Sequence, residues 1–257
     1  MFELAAATSG SIFDRLYRYY SYGFYVQDDL RLRPNLMLNI GLRYEFMTTL
    51  TETHGHGAVV RDLLKDANTT LGEPFKNPSL KNFSPRLGFA WDVNGDGKLA
   101  VRGGAGLLYD LSNFAGGLSA GSSATPPFST LSSLANPGRL SLPLTFPASA
   151  AGRALRGVDY NVQQPHIIQY SLTVEKQLPA QMAATISYAG SRGFNIPIIV
   201  DGNPTIPQGI PNGSTCVASP TPVAYNPDRS VPRCWLDPAT RNPRTNPAWT
   251  EIGRAHV

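Results

Sequence analysis

From Leu36 to Phe46 the chain alternates between two kinds of residue. Leu36, Leu38, Ile40, Leu42, Tyr44 and Phe46 are apolar or aromatic, whereas Met37, Asn39, Gly41, Arg43 and Glu45 are mostly polar or small. A strand turns successive side chains to opposite faces, so this period of two predicts a strand with one apolar and one wet face. A helical period would place Arg43 and Glu45 among the leucines. Further segments read the same way. Tyr22, Phe24, Val26, Leu30 and Leu32 alternate with Tyr25, Gln27, Asp29 and Arg31, with Asp28 the discordant member of the apolar set. Leu87, Phe89 and Trp91 oppose Arg86, Gly88 and Ala90; Leu99, Val101, Ala105, Leu107 and Tyr109 oppose Ala100, Arg102, Gly104 and Gly106. Ile168, Tyr170, Leu172 and Val174 oppose Gln169, Ser171, Thr173 and Glu175, and Met182, Ala184, Ile186 and Tyr188 oppose Ala183, Thr185, Ser187 and Ala189. The predicted strands lie near 20–32, 36–46, 86–92, 99–109, 167–177 and 182–190.

The connections alternate short and long. Arg33-Pro34-Asn35, Val93 to Lys98 and Leu178 to Gln181 are compact and carry Pro, Gly, Asn or Asp where turns want them. Between the hairpins lie about 39 residues (Met47 to Pro85) and about 56 (Asp110 to Pro165), although loops beyond roughly 15 are uncommon in compact soluble domains. Strands of about ten residues, short turns at one end and long loops at the other, are the signature of a transmembrane β-barrel. Ten residues tilted near 45° span roughly 23 Å, close to the apolar band of an outer membrane. The reading is therefore all-β: about six antiparallel strands of a large transmembrane barrel, with short periplasmic turns and long extracellular loops. Gly41, Gly88, Gly104, Gly106 and Ser171 would line its interior. Tyr22, Phe24, Tyr44, Phe46, Trp91, Tyr109 and Tyr188 suit an interfacial aromatic girdle. A soluble β-sandwich also has alternating strands, but it does not require every second connection to be long.

Composition supports a β architecture. The chain has 257 residues with 24 Gly and 22 Pro, and 16% charged residues. That is more Gly and Pro and less charge than the averages of about 12% and about 25%, a poor mixture for helical bundles. The net charge of +4 includes no basic block, so nucleic acid is not an expected partner. No apolar run is long enough for a transmembrane helix, and the opening MFELAAATSGSIFDRLYRYY lacks the basic start and apolar core of a signal peptide. Cys216 and Cys234 lie in polar, proline-rich sequence with no further Cys or His nearby. They read as a loop disulfide of an oxidising compartment rather than as a metal pair.

Three spaced stretches resemble the barrel of TonB-dependent outer-membrane receptors. They are FYVQDDLRLRPNLMLNIGLRYEF (Phe24 to Phe46), FSPRLGFAWDVNGDGKLAVRGGAGLLYD (Phe83 to Asp110) and QQPHIIQYSLTVEKQLPAQMAATISYAGSRG (Gln163 to Gly193). The match is to the group with a carboxypeptidase-regulatory-like N-terminal domain, including Oar-like proteins, and covers roughly Tyr22 to Gly193. The resemblance implies a barrel commonly of 22 strands, a plug domain in its lumen, and a short box that the TonB complex grips from the periplasm. Residues 1–193 would then be a partial barrel and 194–257 a long, truncated extracellular loop. The implied partners are outer-membrane lipid, the TonB complex, the protein's own plug and an unknown bulky solute. Asp29, Arg43, Glu45, Arg102 and Glu175 are implied to face the lumen, in ion pairs between strands or towards the plug. Asp28 would stand on the lipid face, near the periplasmic rim or at a bulge.

Other chemistry is sparse. Asp92, Asn94, Asp96 and Gly97 match the opening of an EF-hand loop, but Gly103 stands where its terminal Glu is needed, so a tight turn is expected. His54 and His56 share a loop with Glu52 and could chelate a metal weakly; without a third histidine they read as solvent-exposed loop residues. His166 reads as a rim residue. Ser191 is not in a G-x-S-x-G elbow, and neither a nucleotide loop nor a zinc motif is present, so no enzyme and no cofactor are expected. Arg31 and Arg86 are further charged residues in or beside strands. The Gly-, Ser- and Pro-rich stretches Phe114 to Asn136 and Pro204 to Asn246 read as surface loops without a regular core. The functional expectation is energised uptake of a bulky solute. The alternatives are a structural or adhesive outer-membrane barrel and a secreted glycan-binding sandwich.

Overall fold

In the computed structural model, which describes residues 3–111, 114–135, 154–219, 232–236, 244–249 and 251–256, one antiparallel sheet carries the alternating segments. The parts of the expected loops at 112–113, 136–153, 220–231 and 237–243 lie outside the described residues. The strands are β1 (Ser21–Arg33), β2 (Leu36–Met47), β3 (Phe83–Asp92), β4 (Leu99–Tyr109), β5 (His166–Leu178) and β6 (Met182–Phe194). Each pairs with its neighbours in chain order, giving a six-stranded meander with β1 and β6 at its two edges. Strands of 12 and 13 residues, tilted near 45°, reach about 30 Å and cross the hydrocarbon layer of an outer membrane.

Directly paired residues share a face, so the register tests the alternation. Val26 pairs with Leu42, Ile40 with Leu87, Trp91 with Val101, Val101 with Val174, and Val174 with Ile186. The apolar members thus form one continuous face across all six strands. They are not covered by protein: Ile186 is 76% exposed and Val26 67%. In water such a patch would be far larger than soluble monomers carry; in a membrane it is the lipid surface.

Rings line the extracellular end of that face. Tyr22 stacks on Phe46 at 5.3 Å and Tyr44 on Phe83 at 4.6 Å, and further along Tyr109, His166 and Phe194 follow at 5.5 and 5.0 Å. Phe83, His166 and Phe194 are additions to the expected girdle. Tyr188 is not at a strand end, because β6 runs on to Phe194 and leaves Tyr188 mid-strand opposite Leu172. Two glycines of the apolar face sit under rings. A Cβ at Gly103 would lie 2.7 Å from the Phe89 ring, and one at Gly190 would lie 2.6 Å from the Tyr170 ring.

Two further points differ from the sequence reading. β3 begins at Phe83 and includes Pro85, which pairs with Leu42 on β2. The β3–β4 ladder starts only at Arg86, so the missing N–H of Pro85 interrupts no bond on that side. Asp28 is not at a bulge. It pairs regularly with Ile40, and the irregularity falls at Arg31/Arg33, beside the turn.

The short turns hold themselves. The Asp92 carboxylate accepts the Gly95 N–H at 3.0 Å and the Gly97 N–H at 2.8 Å, while Asn35 and Asp92 tie this turn to Pro34-Asn35. The carboxylate that began the calcium-like pattern is thus used by its own turn. The Lys98 N–H holds the Asp96 carboxyl below its ordinary range, against a small desolvation penalty and with help from the Lys98 ammonium at 3.3 Å. The β5–β6 turn is less suited to its geometry, since Ala180 and Gln181 have φ of 58° and 59°. Left-handed backbone costs a side-chain-bearing residue about 1 kcal/mol or more. Replacing Ala180→Asn together with Gln181→Gly, the pair this turn favours, should stabilise the hairpin by about 1 kcal/mol. A higher urea midpoint for the double variant in phospholipid vesicles would register it.

Apart from Met47 at the end of β2, the buried clusters lie outside the sheet. Beyond the long-loop end, Met47, Leu50, Phe75, Phe114, Val158 and Val162 pack into one buried cluster, and Val60, Leu155 and Trp249 into a second. Of the two stretches expected to lack a core, Phe114 to Asn136 therefore contributes to one, through Phe114 and Leu118. Helix α1 (Ala115–Ser123) has no side-chain cap, and its Gly- and Ser-rich sequence is a weak helix former. It is held by contact with the strand Ala154–Val158, where the Arg156 N–H donates to the Ala124 carbonyl at 2.8 Å. The region expected to be one long loop, 194–257, contains strands. Ile198–Asp201 and Ala154–Val158 flank Glu251–His256, and Gly209–Asn212 forms a hairpin with Thr215–Ala218. Glu3–Ala7 likewise joins this cap, pairing with Leu131–Ala135 rather than with the sheet.

Candidate functional site

The face opposite the lipid surface carries the charged residues singled out above. Asp29 accepts a hydrogen bond from the Asn39 amide directly across the β1–β2 ladder. Arg43 and Glu45 alternate along β2 and form an ion pair on this face. Arg102 of β4 reaches diagonally to Glu175 of β5 at 3.0 Å, beside a Thr173–Ser187 hydroxyl pair at 3.0 Å. All five residues are therefore on the side of Gly41, Gly88, Gly104 and Gly106, which in a closed barrel is the interior. Gly104 and Gly106 leave a shallow trough of about 680 Å³ whose walls include Arg86, Gln169, Ser171 and Ser191.

The cap holds a different kind of space, a pocket partly open to solvent. A cavity of about 520 Å³ lies above the end of β2, walled by Phe13, Tyr17, Met47, Leu50, Phe75, Phe114 and Leu118. Asp14, Arg15 and two serines of α1 add its polar groups. The Arg15 guanidinium donates through Nη1 to the Ile12 and Asp14 carbonyls, whereas its Nη2 is buried with no hydrogen-bond partner. The guanidinium also lies over the Phe128 ring, 5.6 Å from its centroid, and an apolar pocket with a cation in its wall suits a largely apolar solute.

Around this chamber the cap is tied together by buried polar groups. The Asn203 amide donates to the carbonyls of Asn246 at 2.9 Å and Trp249 at 2.8 Å. Asn246 donates to the Leu63 and Asp66 carbonyls, and the Trp249 indole donates to Asp66 at 2.9 Å. Cys216 and Cys234 are joined in a disulfide with their Cα atoms 5.8 Å apart. Gly209 packs directly on the bridge, where any Cβ would overlap the Cys216 sulfur. Glu52, expected in an exposed loop, is buried instead. It accepts N–H groups from Leu16, His54 and His56, joining the segment before β1 to the loop after β2. No pattern in the sequence marks Arg15, Asn203 or Trp249, because none belongs to a periodic segment.

A family model described as an outer membrane beta barrel domain matches residues 4–247. The chain belongs to that family, and its place is the outer membrane. Neither a curated protein nor a solved structure matches it.

Proposed function

We propose that this chain is part of the barrel of a TonB-dependent receptor for energised uptake of a bulky solute. The observation that carries the reading is the chamber under the long loops. Its apolar walls and the Arg15 cation give the extracellular end a place to hold a solute. The trough, the Asn39–Asp29 hydrogen bond and the ion pairs Arg43–Glu45 and Arg102–Glu175 would face a plug domain filling the lumen. Solute would bind outside, the TonB complex would draw on the plug from the periplasm, and the solute would pass along the opened lumen. Outer-membrane lipid is the remaining partner; no catalytic step, cofactor or nucleic acid enters this scheme.

The discriminating experiment is to recover the complete reading frame and express the intact protein. A plug domain and a TonB box before the barrel are expected, with the purified periplasmic domain of TonB binding the intact protein in surface plasmon resonance. A complete frame without either element would sink the uptake reading and leave a barrel that anchors or adheres.

A further inference from the structure

We propose that Glu52, His54 and His56, with Asp14 approaching from the preceding segment, form a binding site for one divalent first-row transition-metal ion, zinc being the best match. The carboxylate of Glu52 organises the cluster. Its Oε2 accepts the His54 N–H at 3.0 Å and the His56 N–H at 2.6 Å, folding the segment so that both rings surround it. Its Oε1 accepts only the Leu16 N–H, at 2.8 Å, and keeps a lone pair for another partner. The side chain is 1% exposed, so it is fixed and shielded.

Donor spacing is what points to an ion. One donor atom from each of Glu52, His54 and His56 lies within 4.8 Å of the others. His54 Nδ1 is 3.6 Å from Asp14 Oδ2 and 3.8 Å from Glu52 Oε1. Those separations exceed a hydrogen bond. They approach the spacing of about 3.4 Å between two ligands that each stand 2.0–2.1 Å from a tetrahedral zinc. A second observation is independent of these distances: His56 Nδ1 is buried and has no hydrogen-bond partner. A neutral imidazole nitrogen in that state costs stability unless something binds it.

Two imidazoles and two carboxylates form a borderline donor set suited to zinc, whereas calcium prefers oxygen alone. The two negative charges balance the ion. Asp14, with its side chain 79% exposed, leaves an open side for entry. Because Asp14 also lines the apolar chamber, a bound ion would tie one wall of that chamber to the loop after β2. The site stands whether or not the barrel transports.

The test is isothermal titration of the untagged full chain in detergent with zinc chloride, with calcium chloride as control. One equivalent of zinc should bind, calcium should not, and zinc should raise the midpoint of thermal unfolding. His54→Ala and His56→Ala should each weaken binding at least tenfold, and the double variant should abolish it. His54 is half exposed, so its substitution keeps the test open even if the His56 variant folds poorly. Absence of zinc uptake by the wild-type chain would overturn the proposal. So would uptake unchanged by His54→Ala, which would assign the ion to His166 or His256, the chain's other histidines.

Discussion

Leu172→Lys should destabilise the chain in phospholipid bilayers by about 2–4 kcal/mol, whereas Ser171→Lys, one residue away, should cost less than about 1 kcal/mol. Leu172 is central in β5, between Gly103 of β4 and Tyr188 of β6, on the face whose apolar side chains have no protein over them. A lysine there must leave its ammonium in hydrocarbon or bend towards the interface, and mid-strand is the position farthest from relief. Ser171 pairs with Gly104 and Ala189 on the opposite face, beside Arg86 and Gln169 around the open trough. A lysine there meets water and small neighbours. Equilibrium urea titrations of both variants in vesicles give the comparison. Equal losses would mean that the two faces are not divided between lipid and lumen.

This contrast was available from the sequence because a membrane strand is simple to encode. One side must be apolar and the other need not be, so the period of two survives along Leu36 to Phe46 with no exception. The strand count, the order of pairing and the short turns followed from that period and from Pro34-Asn35, Val93 to Lys98 and the Pro179 turn. The strand ends were less legible where the apolar pattern passes through Pro85, or where His166 and Phe194 extend a ladder into the interface.

The cap was largely hidden, for a physical reason. Its strands are short, from two residues in Thr51–Glu52 to six in Glu251–His256, too few to establish a period. Its core is assembled from distant pieces, as when the Asn246 amide bonds to Leu63 across a separation of 183 residues. Sequence reasoning could name Glu52, His54 and His56 but could not foresee that Glu52 is buried or that Asp14 approaches His54. The cysteine pair was easier, because only two cysteines exist and both lie in the same polar stretch.

Trp249→Ala should collapse the cap while leaving the membrane sheet in place. Trp249 is 1% exposed and packs with Val60, Leu155 and Leu63, so its ring fills the second buried cluster. Removing a buried aromatic of this size costs about 3–5 kcal/mol, the upper part of the range when the cavity cannot collapse. The loss also removes one of the two hydrogen bonds to the Asp66 carbonyl, which keeps the Asn246 amide as its donor. Trp249→Phe retains most of the volume and forfeits mainly that hydrogen bond, so its cost should be nearer about 0.5–1.5 kcal/mol. No residue of the six-stranded sheet belongs to this cluster, so the damage should be local. Limited proteolysis in vesicles separates the two outcomes. In Trp249→Ala the stretch between β2 and β3 should be cut much faster than in the wild type, with β1–β2 and β5–β6 still protected. Unchanged cleavage of that stretch would show that the cap does not depend on the Trp249 cluster. Loss of protection throughout would show that cap and sheet fold as one unit, with the cap contributing to the stability of the barrel itself.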